Sequence, residues 1–410
     1  VWALAGAALL FGFGAPIWLM GLFALAMVVF LVSPIRRNLI SKGIMYIFEK
    51  AKFIPQISKT ERGALEAGVV WIEKDLFSGK PNFTKILEEP YAKLTAEEQA
   101  FLNGPVEELC QKAEPFKIFK NREMPPEIWD MIKNKGFLGM IIPKEYGGLG
   151  FTAMAHSEVI MKIASRSLPA CISVMVPNSL GPAELLIHYG TEAQKNHWLP
   201  RLAKGLEIPC FGLTEPMAGS DAGSLTASGV VFKDTNGKLS IRLNWNKRWI
   251  TLASVATVIG LAFRLRDPEN LLGQGEDLGI TCALIPSNLP GVIHSRRHDP
   301  LTIPFHNCPT QGKDVVVTIE DAVVGGIGGC GHGWTMLMEC LAAGRGISLP
   351  AQATGGAKLA FRSVSAHALV RKQFGVSIGA FEGVEEPLAR IGANTYGLEA
   401  MRRFTLGALD

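Results

Sequence analysis

Two separated stretches decide the fold that this sequence predicts: Phe211-Gly-Leu-Thr-Glu-Pro-Met-Ala-Gly-Ser-Asp221 and Lys247-Arg-Trp-Ile-Thr251. Between them lies Asp234-Thr-Asn-Gly237, and Asn-Gly is a strong signal for a tight hairpin. The runs that the composition predicts as strands are 230–233 and 238–242 beside this turn, then 254–263, 280–286 and 314–319. Both stretches therefore belong to one β unit.

Helical periodicity precedes and follows this β unit. It dominates 126–205, returns after Gly333, and predicts a second long helix that begins near Glu382. Helices, then strands, then helices favour an α+β fold over a parallel doubly wound sheet. The predicted parts are a membrane-anchoring segment (1–34), an amphipathic and linker region (35–115), an N-terminal helical domain (116–207), a middle β-barrel or sandwich domain (208–324) and the start of a C-terminal helical bundle (325–410).

The residue types in the two stretches suit a flavin. A small hydroxyl such as Thr214 can bond the pyrimidine edge of the ring system, while Gly219 and Ser220 let main-chain N–H groups approach a pyrophosphate. Trp249 can stack on an isoalloxazine ring, and Thr251, two residues along the strand on the same face, can bond near its N5. Separately these features fit a turn and a core tryptophan; together they favour a flavin site.

The stretch Gly326-Ile-Gly-Gly-Cys-Gly331 has the glycine spacing G-x-G-x-x-G of a dinucleotide-binding motif. A Rossmann unit needs a second parallel strand that ends in an acidic residue about 20 positions later. Here the helical pattern continues through Ser348 and beyond. The glycines are therefore interpreted as a loop that joins the β unit to the last helices.

Length and composition restrict the class of protein. A chain of 410 residues exceeds the size of one core. Its seven cysteines are scattered without metal-ligand spacing, which favours a reducing cytoplasm. The net charge of +4 and the lack of aromatic-flanked basic runs make nucleic acid an unexpected partner. The first residue is Val1 and the last, Asp410, falls within a helical pattern, so we interpret the sequence as a fragment.

The N-terminal segment is apolar enough to enter a membrane. Val1 to Pro34 carry no charged side chain, and Pro16 divides them. Ile17 to Val32 are nearly long enough to cross the hydrocarbon core, so the segment is either one span with the tail of another or a helical hairpin bent near Gly14 and Pro16. A buried core helix rarely runs this long without polar residues.

Basic residues follow this segment. By the positive-inside rule, Arg36, Arg37 and Lys42 place the rest of the chain on the cytoplasmic side. From Ile40 to Phe53 apolar residues recur at helical spacing between lysines. This helix either lies on the lipid surface or packs on the soluble body, and the pattern does not decide between the two.

From 126 to 410 the chain resembles the acyl-CoA dehydrogenase family, on five motifs in the family's order. These are Lys144-Glu-Tyr-Gly-Gly-Leu-Gly150, Tyr189-Gly-Thr-Glu-Ala-Gln-Lys195, Thr214-Glu-Pro-Met-Ala-Gly-Ser220, Trp249-Ile-Thr251 and Arg371-Lys-Gln-Phe-Gly375. The anchor is similar to that of the large membrane-associated, FadE-type bacterial members. So are Asn178-Ser-Leu-Gly-Pro182, Asn246-Lys-Arg248, Gly344-Arg-Gly346 and Glu385-Glu-Pro-Leu-Ala-Arg390.

The resemblance implies FAD as the cofactor, with an arginine that reaches its diphosphate in a neighbouring subunit or equivalent helical unit. The residues implied to hold FAD are Phe211, Leu213, Thr214, Gly219, Ser220, Trp249, Ile250, Thr251, Arg371, Gln373 and Phe374. Ser220 is also implied to contact the thioester substrate, and Arg345 matches an arginine that borders the acyl-CoA pocket.

The implied reaction is α,β-dehydrogenation of a fatty acyl-CoA to the trans-2-enoyl-CoA. A carboxylate removes the α-proton while the β-hydrogen leaves as hydride to the flavin, and this requires a polarised thioester carbonyl and a desolvated base. The family's base usually lies in later helices, which predicts a position after Asp410. In some members it directly precedes the arginine matched by Arg345, where this chain has Gly344. Glu339 does not fit that spacing and is interpreted as solvated, so no catalytic base is assigned.

Partners and place follow from the same resemblance. It implies a medium- or long-chain fatty acyl-CoA substrate in β-oxidation, electron-transfer flavoprotein as acceptor, a possible homodimer, and the bacterial inner membrane with the catalytic domain in the cytoplasm. An acyl-CoA oxidase, in which oxygen reaches the reduced flavin, is the alternative enzyme. A silent membrane-bound acyl-CoA binder or scaffold is the alternative outside catalysis, because the base is not seen.

Overall fold

The computed structural model describes residues 2–53, 57–67, 72–89, 91–179, 181–407 and 409. Val1 of the predicted anchor, Leu180 of the 178–182 element and the terminal Asp410 lie outside the described residues. The chain divides into two compact units, Val1–Arg62 and Gly63–Asp410, and the boundary falls inside helix α5 (Lys59–Ala67).

The first unit is entirely helical in its described part. Its elements are α1 (Trp2–Gly12), α2 (Ile17–Leu31), α3 (Ser33–Arg36), a π-helical turn (Arg37–Ser41) and α4 (Lys42–Lys50). Gly14 takes a positive φ of 62° in the turn before Pro16. The first two helices touch, because a Cβ on Gly6 would lie 2.6 Å from the ring of Phe23. Of the two predicted arrangements, the structure has the helical hairpin.

Among the described helices, one stretch and one bent pair are long and apolar enough to cross a membrane. The stretch Leu168–Tyr189 is long and apolar enough to cross a bilayer, but 88% of its apolar window is buried in the second unit. Ile17–Leu31 meets the length only together with Ser33–Lys50, and these two parts meet at an 82° bend.

The second unit begins with a layer of helices, of which those after residue 95 share an apolar core. After α5 these are α6 (Glu73–Phe77), α7 (Phe83–Glu88), α8 (Ala96–Asn103), α9 (Pro105–Lys112), α10 (Pro115–Asn121), α11 (Pro126–Asn134), α12 (Ala153–Ala164), α13 (Leu168–Ser179), α14 (Pro182–Tyr189) and α15 (Glu192–Ala203). Thr95 and Glu98 form a capping box at the start of α8. Such a box satisfies two of the free N–H groups at a helix start.

One motif of the sequence joins this helical layer to the strands that follow. Thr191 and Gln194 form the capping box of α15. The amide of Gln194 donates to the carbonyl oxygen of Val323 at 2.7 Å and accepts from the N–H of Gly325 at 3.1 Å. A buried side-chain amide with these partners fixes the layer against the end of the β unit.

The middle of the chain forms a seven-stranded sheet. Its strands are β1 (Pro209–Gly212), β2 (Ser228–Lys233), β3 (Leu239–Thr251), β4 (Val258–Arg266), β5 (Asp277–Pro286), β6 (Val292–His294) and β7 (Asn307–Thr318). The order is β1-β4-β2-β3-β7-β6, and β5 pairs with β4. The predicted hairpin joins β2 and β3, with Gly237 at φ 73°. The β-rich runs are confirmed as strands, each with shifted ends.

Helices return after the sheet. The elements are α16 (Ile319–Ala322), α17 (Gly333–Val370), the short pair β8 (Lys372–Gln373) and β9 (Val376–Ser377), and α18 (Glu382–Gly407). The glycines at 326–329 form a 3₁₀ turn, and the 38 residues of α17 follow it. Within the described stretch 333–370, no second strand comes where a Rossmann unit needs one. The α+β order and the start of the last helix at Glu382 are confirmed.

Candidate functional site

The two stretches predicted to form one site meet through their main chains. The loop that contains Thr214 follows β1, and the N–H of Arg248 in β3 donates to the carbonyl oxygen of Thr214 at 3.1 Å. Residues more than 30 positions apart in sequence are therefore joined by one backbone hydrogen bond. The predicted pairing of the motifs is present in the fold.

A buried ion pair reinforces this junction. Nζ of Lys247 lies 2.7 Å from Oε1 of Glu215, and the two side chains are 0% and 2% exposed. The same ammonium donates to the carbonyl oxygen of Leu213 at 2.9 Å. Sequence reasoning quoted both residues within the motifs but gave them no role, because a sequence does not show which charges are buried.

The carboxylate of Glu215 accepts further hydrogen bonds besides that from Lys247. Its oxygens accept from the N–H and hydroxyl of Thr226 at 2.6 and 2.7 Å, and from the N–H of Ala227 at 2.9 Å. Burial alone would raise the pKa of Glu215, but these donors and the Lys247 ammonium lower it below the usual glutamate value. The group is thus held as a carboxylate, as a buried ion pair requires.

Trp249 is not a core residue. Its side chain is 56% exposed, and its backbone has a φ of 62°, where residues with a Cβ are strained. The pairing of β3 with β7 is irregular between Lys247 and Ile250. This bulge breaks simple alternation, yet Ile250 is buried whereas Trp249 and Thr251 are not. Trp249 and Thr251 are thus both accessible, and their predicted common face stays a prediction.

Two side chains hold the exposed indole in place. The ring of His298 meets Trp249 edge-on with centroids 4.7 Å apart, and the guanidinium of Arg248 lies 5.5 Å from the indole. Such contacts are attractive for an indole. The contact with His298 was not anticipated from the sequence, because His298 lies almost 50 residues away from Trp249.

Unpaired polar groups surround this junction. Within the described residues, the hydroxyls of Thr214, Ser220 and Thr251 have no hydrogen-bond partner, and the N–H groups of Gly219 and Ser220 have none either. A Cβ on Gly219 would meet nothing within 4 Å. Free hydroxyls, free N–H groups and an exposed aromatic face fit an anionic cofactor with a flat ring system. The residues present therefore fit FAD.

The remaining FAD residues implied by the resemblance lie on a separate element. Arg371 follows α17, Gln373 ends β8 and Phe374 lies in the turn to β9; all three are exposed, Phe374 by 94%. In the described part of the chain, no hydrogen bond or ring contact joins them to Thr214 or Trp249. Within the described residues the two groups are therefore not in direct contact, and the implied contact to a neighbouring unit stays a prediction.

The alternative position for a catalytic base is closed by packing. A Cβ on Gly344 would lie 2.4 Å from the carbonyl oxygen of Ser179, closer than any real contact. A glutamate therefore does not fit at 344 without displacing α13. Arg345 and Glu339 are exposed on the same helix, as expected of a solvated Glu339. The base predicted after Asp410 stays a prediction.

A cavity of about 320 Å³ lies beside Gly344 and Ser179. Its apolar lining residues come from the helical layer, α17 and the C-terminal end: Ile141, Phe151, Ala153, Ile187, Ile347 and Leu409. Among the described lining residues, Glu184 is the one carboxylate. Burial raises the pKa of Glu184, against a lowering effect of His188 at 3.3 Å. Sequence reasoning missed Glu184, whose helical context carries no motif.

Three models of the acyl-CoA dehydrogenase family match this chain in order. The N-terminal domain matches residues 95–206, the middle domain residues 210–315 and the C-terminal domain residues 331–410.

Curated proteins are similar to different parts of this chain. "Probable acyl-CoA dehydrogenase FadE10" of Mycobacterium bovis is 30% identical over 334 residues, which are 80% of this chain and 49% of that protein. "Protein HemX" of Proteus mirabilis is 53% identical over 105 residues, 26% of this chain and 61% of that protein. The chain thus spans about half the length of the first and under two thirds of the second.

Solved structures share the fold. Butyryl-CoA dehydrogenase from Megasphaera elsdenii superposes with a TM-score of 0.65 over 75% of this chain and 77% of that chain. Its sequence identity is 23%, so this likeness speaks for the architecture alone. Helical layer, middle sheet and C-terminal helices occur in both.

Proposed function

Because the chain belongs to the acyl-CoA dehydrogenase family, we propose that it serves the α,β-dehydrogenation of a fatty acyl-CoA to the trans-2-enoyl-CoA. Members of the family are oxidoreductases that act on the CH–CH bond of an acyl-CoA, and FAD is their cofactor. The predicted fold and cofactor are thereby confirmed at the level of the family.

The observation that carries the proposal is the junction between Thr214 and Arg248 with its unpaired polar groups. When bound, FAD supplies the acceptor for the hydride. Thr214, Thr251 and the N–H groups of Gly219 and Ser220 would bind its polar edges, and Trp249 would cover its ring. The buried ion pair of Lys247 and Glu215 fixes the loop that contains Thr214 to the strand that contains Trp249, because separating the pair would leave a buried charge without its partner.

The finer details rest on additional features of the chain. The apolar part of the cavity lining beside Gly344, which includes Ile141, Phe151 and Ile347, supports a fatty acyl substrate, since burial of an alkyl chain is worth about 0.8 kcal/mol for each CH₂. Medium or long chain length, fatty-acid β-oxidation and electron-transfer flavoprotein as acceptor belong to the proposal. A homodimer would bring Arg371, Gln373 and Phe374 of one subunit toward the flavin site of the other.

Attachment to the bacterial inner membrane is also part of the proposal. The helical hairpin α1–α2 exposes large apolar side chains such as Leu4, Trp18 and Leu25, which favours burial in lipid. Arg36 and Arg37 follow the hairpin, and their charge favours a cytoplasmic position for the second unit.

Turnover with graded acyl-CoAs tests the proposed reaction. The full-length protein, loaded with FAD, is incubated with acyl-CoAs of increasing length and an artificial electron acceptor, and products are read by mass spectrometry. Loss of two hydrogens with a 2-enoyl product is expected, without oxygen consumption. Oxygen consumption would instead identify an oxidase, and bound acyl-CoA without product at any length would identify a silent binder.

A further inference from the structure

The segment from Ser33 to Lys50, called here the juxtamembrane helix, has no buried residue among those described in α3, the π-helical turn and α4. Four of its apolar residues nevertheless fall on one face, Ile40, Ile44, Ile47 and Phe48, whereas Leu39 and Met45 lie outside it. Ile47 is 60% exposed and Phe48 45%. An apolar helix face without protein cover needs another partner.

The charges of the segment show which partner suits it. Between 33 and 53 there are five cations and one carboxylate, Glu49. The cations are Arg36, Arg37, Lys42, Lys50 and Lys52. Within the described residues none of the five forms an ion pair with a carboxylate. Glu49 and Lys42 lie opposite the apolar face. A helix with one apolar face and unpaired cations fits an anionic lipid surface.

The bend between α2 and the juxtamembrane helix provides the geometry. Their axes meet at 82°. If α2 enters the bilayer along its normal, the juxtamembrane helix therefore runs along the membrane plane. The guanidinium of Arg36 donates to the carbonyl oxygen of Phe30 at 3.3 Å, which satisfies an acceptor at the end of α2 near the headgroups.

We propose that the juxtamembrane helix lies on anionic phospholipid, with the face of Ile44 and Ile47 in the acyl-chain boundary and its lysines among the headgroups. This step rests on the proposed membrane attachment and adds a second, charge-selective contact to it. The apolar hairpin alone does not distinguish headgroups, whereas the lysines do, because each basic residue near an anionic surface is attracted to it.

Photo-cross-linking tests which face meets lipid. p-Benzoylphenylalanine is introduced singly at Ile44, Ile47, Glu49 and Leu25 of the full-length protein in nanodiscs of phosphatidylcholine with phosphatidylglycerol. Lipid adducts are expected at Ile44 and Ile47 and several-fold fewer at Glu49. Equal adducts at Glu49, or cross-links from Ile44 to the protein's own chain, would overturn the proposal. Leu25 tests the hairpin separately. A lack of lipid adducts at Leu25 would instead contradict the proposed membrane attachment itself.

Neutral substitutions test the selectivity for anionic lipid. The triple variant Lys42→Gln, Lys50→Gln, Lys52→Gln is expected to lower the ratio of phosphatidylglycerol to phosphatidylcholine adducts at Ile44. The matched variant Lys74→Gln, Lys80→Gln, Lys85→Gln removes the same charge from exposed positions in the second unit and is expected to leave the ratio unchanged. An unchanged ratio in the first variant would overturn the role of the lysines.

Discussion

Nζ of Lys247 lies 2.7 Å from Oε1 of Glu215, and this buried pair fixes the loop of one motif to the strand of the other. Lys247 adjoins Arg248, whose N–H bonds Thr214, and Glu215 follows Thr214 directly. Two independent contacts thus join the same two segments. Flavin binding should depend on both.

Removal of the ammonium by Lys247→Met is expected to leave a carboxylate buried without its partner. Such a loss costs about 3–5 kcal/mol of unfolding free energy. Urea denaturation measures this cost, and the flavin content per chain of the purified variant should fall in parallel.

The double variant Glu215→Gln, Lys247→Met separates burial of a lone charge from loss of packing. Glutamine keeps an oxygen for Thr226 or Ala227 but carries no charge. The double variant should therefore be more stable than Lys247→Met alone. If the double variant is less stable than the single one, the ion pair is not the source of the cost.

Trp249 combines a strained backbone with an exposed indole. A residue with a Cβ in the left-handed region costs roughly 1–2 kcal/mol. We expect Trp249→Gly to be at least as stable as Trp249→Ala in urea, while both lose flavin. Phe116→Ala removes another exposed aromatic ring, in α10, and should keep the flavin. A clearly less stable glycine variant would show that φ 62° carries no strain.

Two glycines of α17 are expected to respond to alanine in opposite directions. A Cβ at 344 meets the Ser179 carbonyl oxygen at 2.4 Å, whereas a Cβ at 356 meets nothing within 4 Å. Gly344→Ala should cost about 1–3 kcal/mol through overpacking. Gly356→Ala should stabilise the protein by about 0.5–1 kcal/mol, because glycine is a poor helix residue. Both values come from denaturant unfolding, and equal effects would refute the close packing of α13 and α17.

Glu184 should give stability a distinct pH dependence. Its folded pKa is raised, mainly by burial, so the stability it contributes is present below the unfolded glutamate pKa and is lost as pH rises through the folded value. Glu184→Gln stays uncharged at every pH. The variant should unfold at a higher temperature than the parent at neutral pH, and the difference should shrink toward acid pH. A difference independent of pH would contradict the raised pKa.

Local signals made much of the fold predictable. Asn236-Gly237 marked the hairpin of β2 and β3, and the helical pattern from Glu382 marked the last long helix. Each depends on residues a few positions apart. The strand ends were less accurate, because they depend on pairing with distant strands such as β7.

The sequence predicted the residues that are proposed to face the flavin. It did not show which residues hold them in place. Thr214 and Trp249 have side chains whose chemistry suits a flavin, so their types carry information. Glu215 and Lys247 resemble ordinary surface charges in sequence, and their burial depends on strands that meet only in the fold. The edge-on contact of His298 with Trp249 has the same origin.

Anaerobic titration with palmitoyl-CoA tests the central claim most directly. The full-length protein, loaded with FAD, is followed by its flavin absorbance. We predict that palmitoyl-CoA bleaches this flavin as the enoyl-CoA forms. A flavin that stays oxidised at every acyl chain length would contradict the claim.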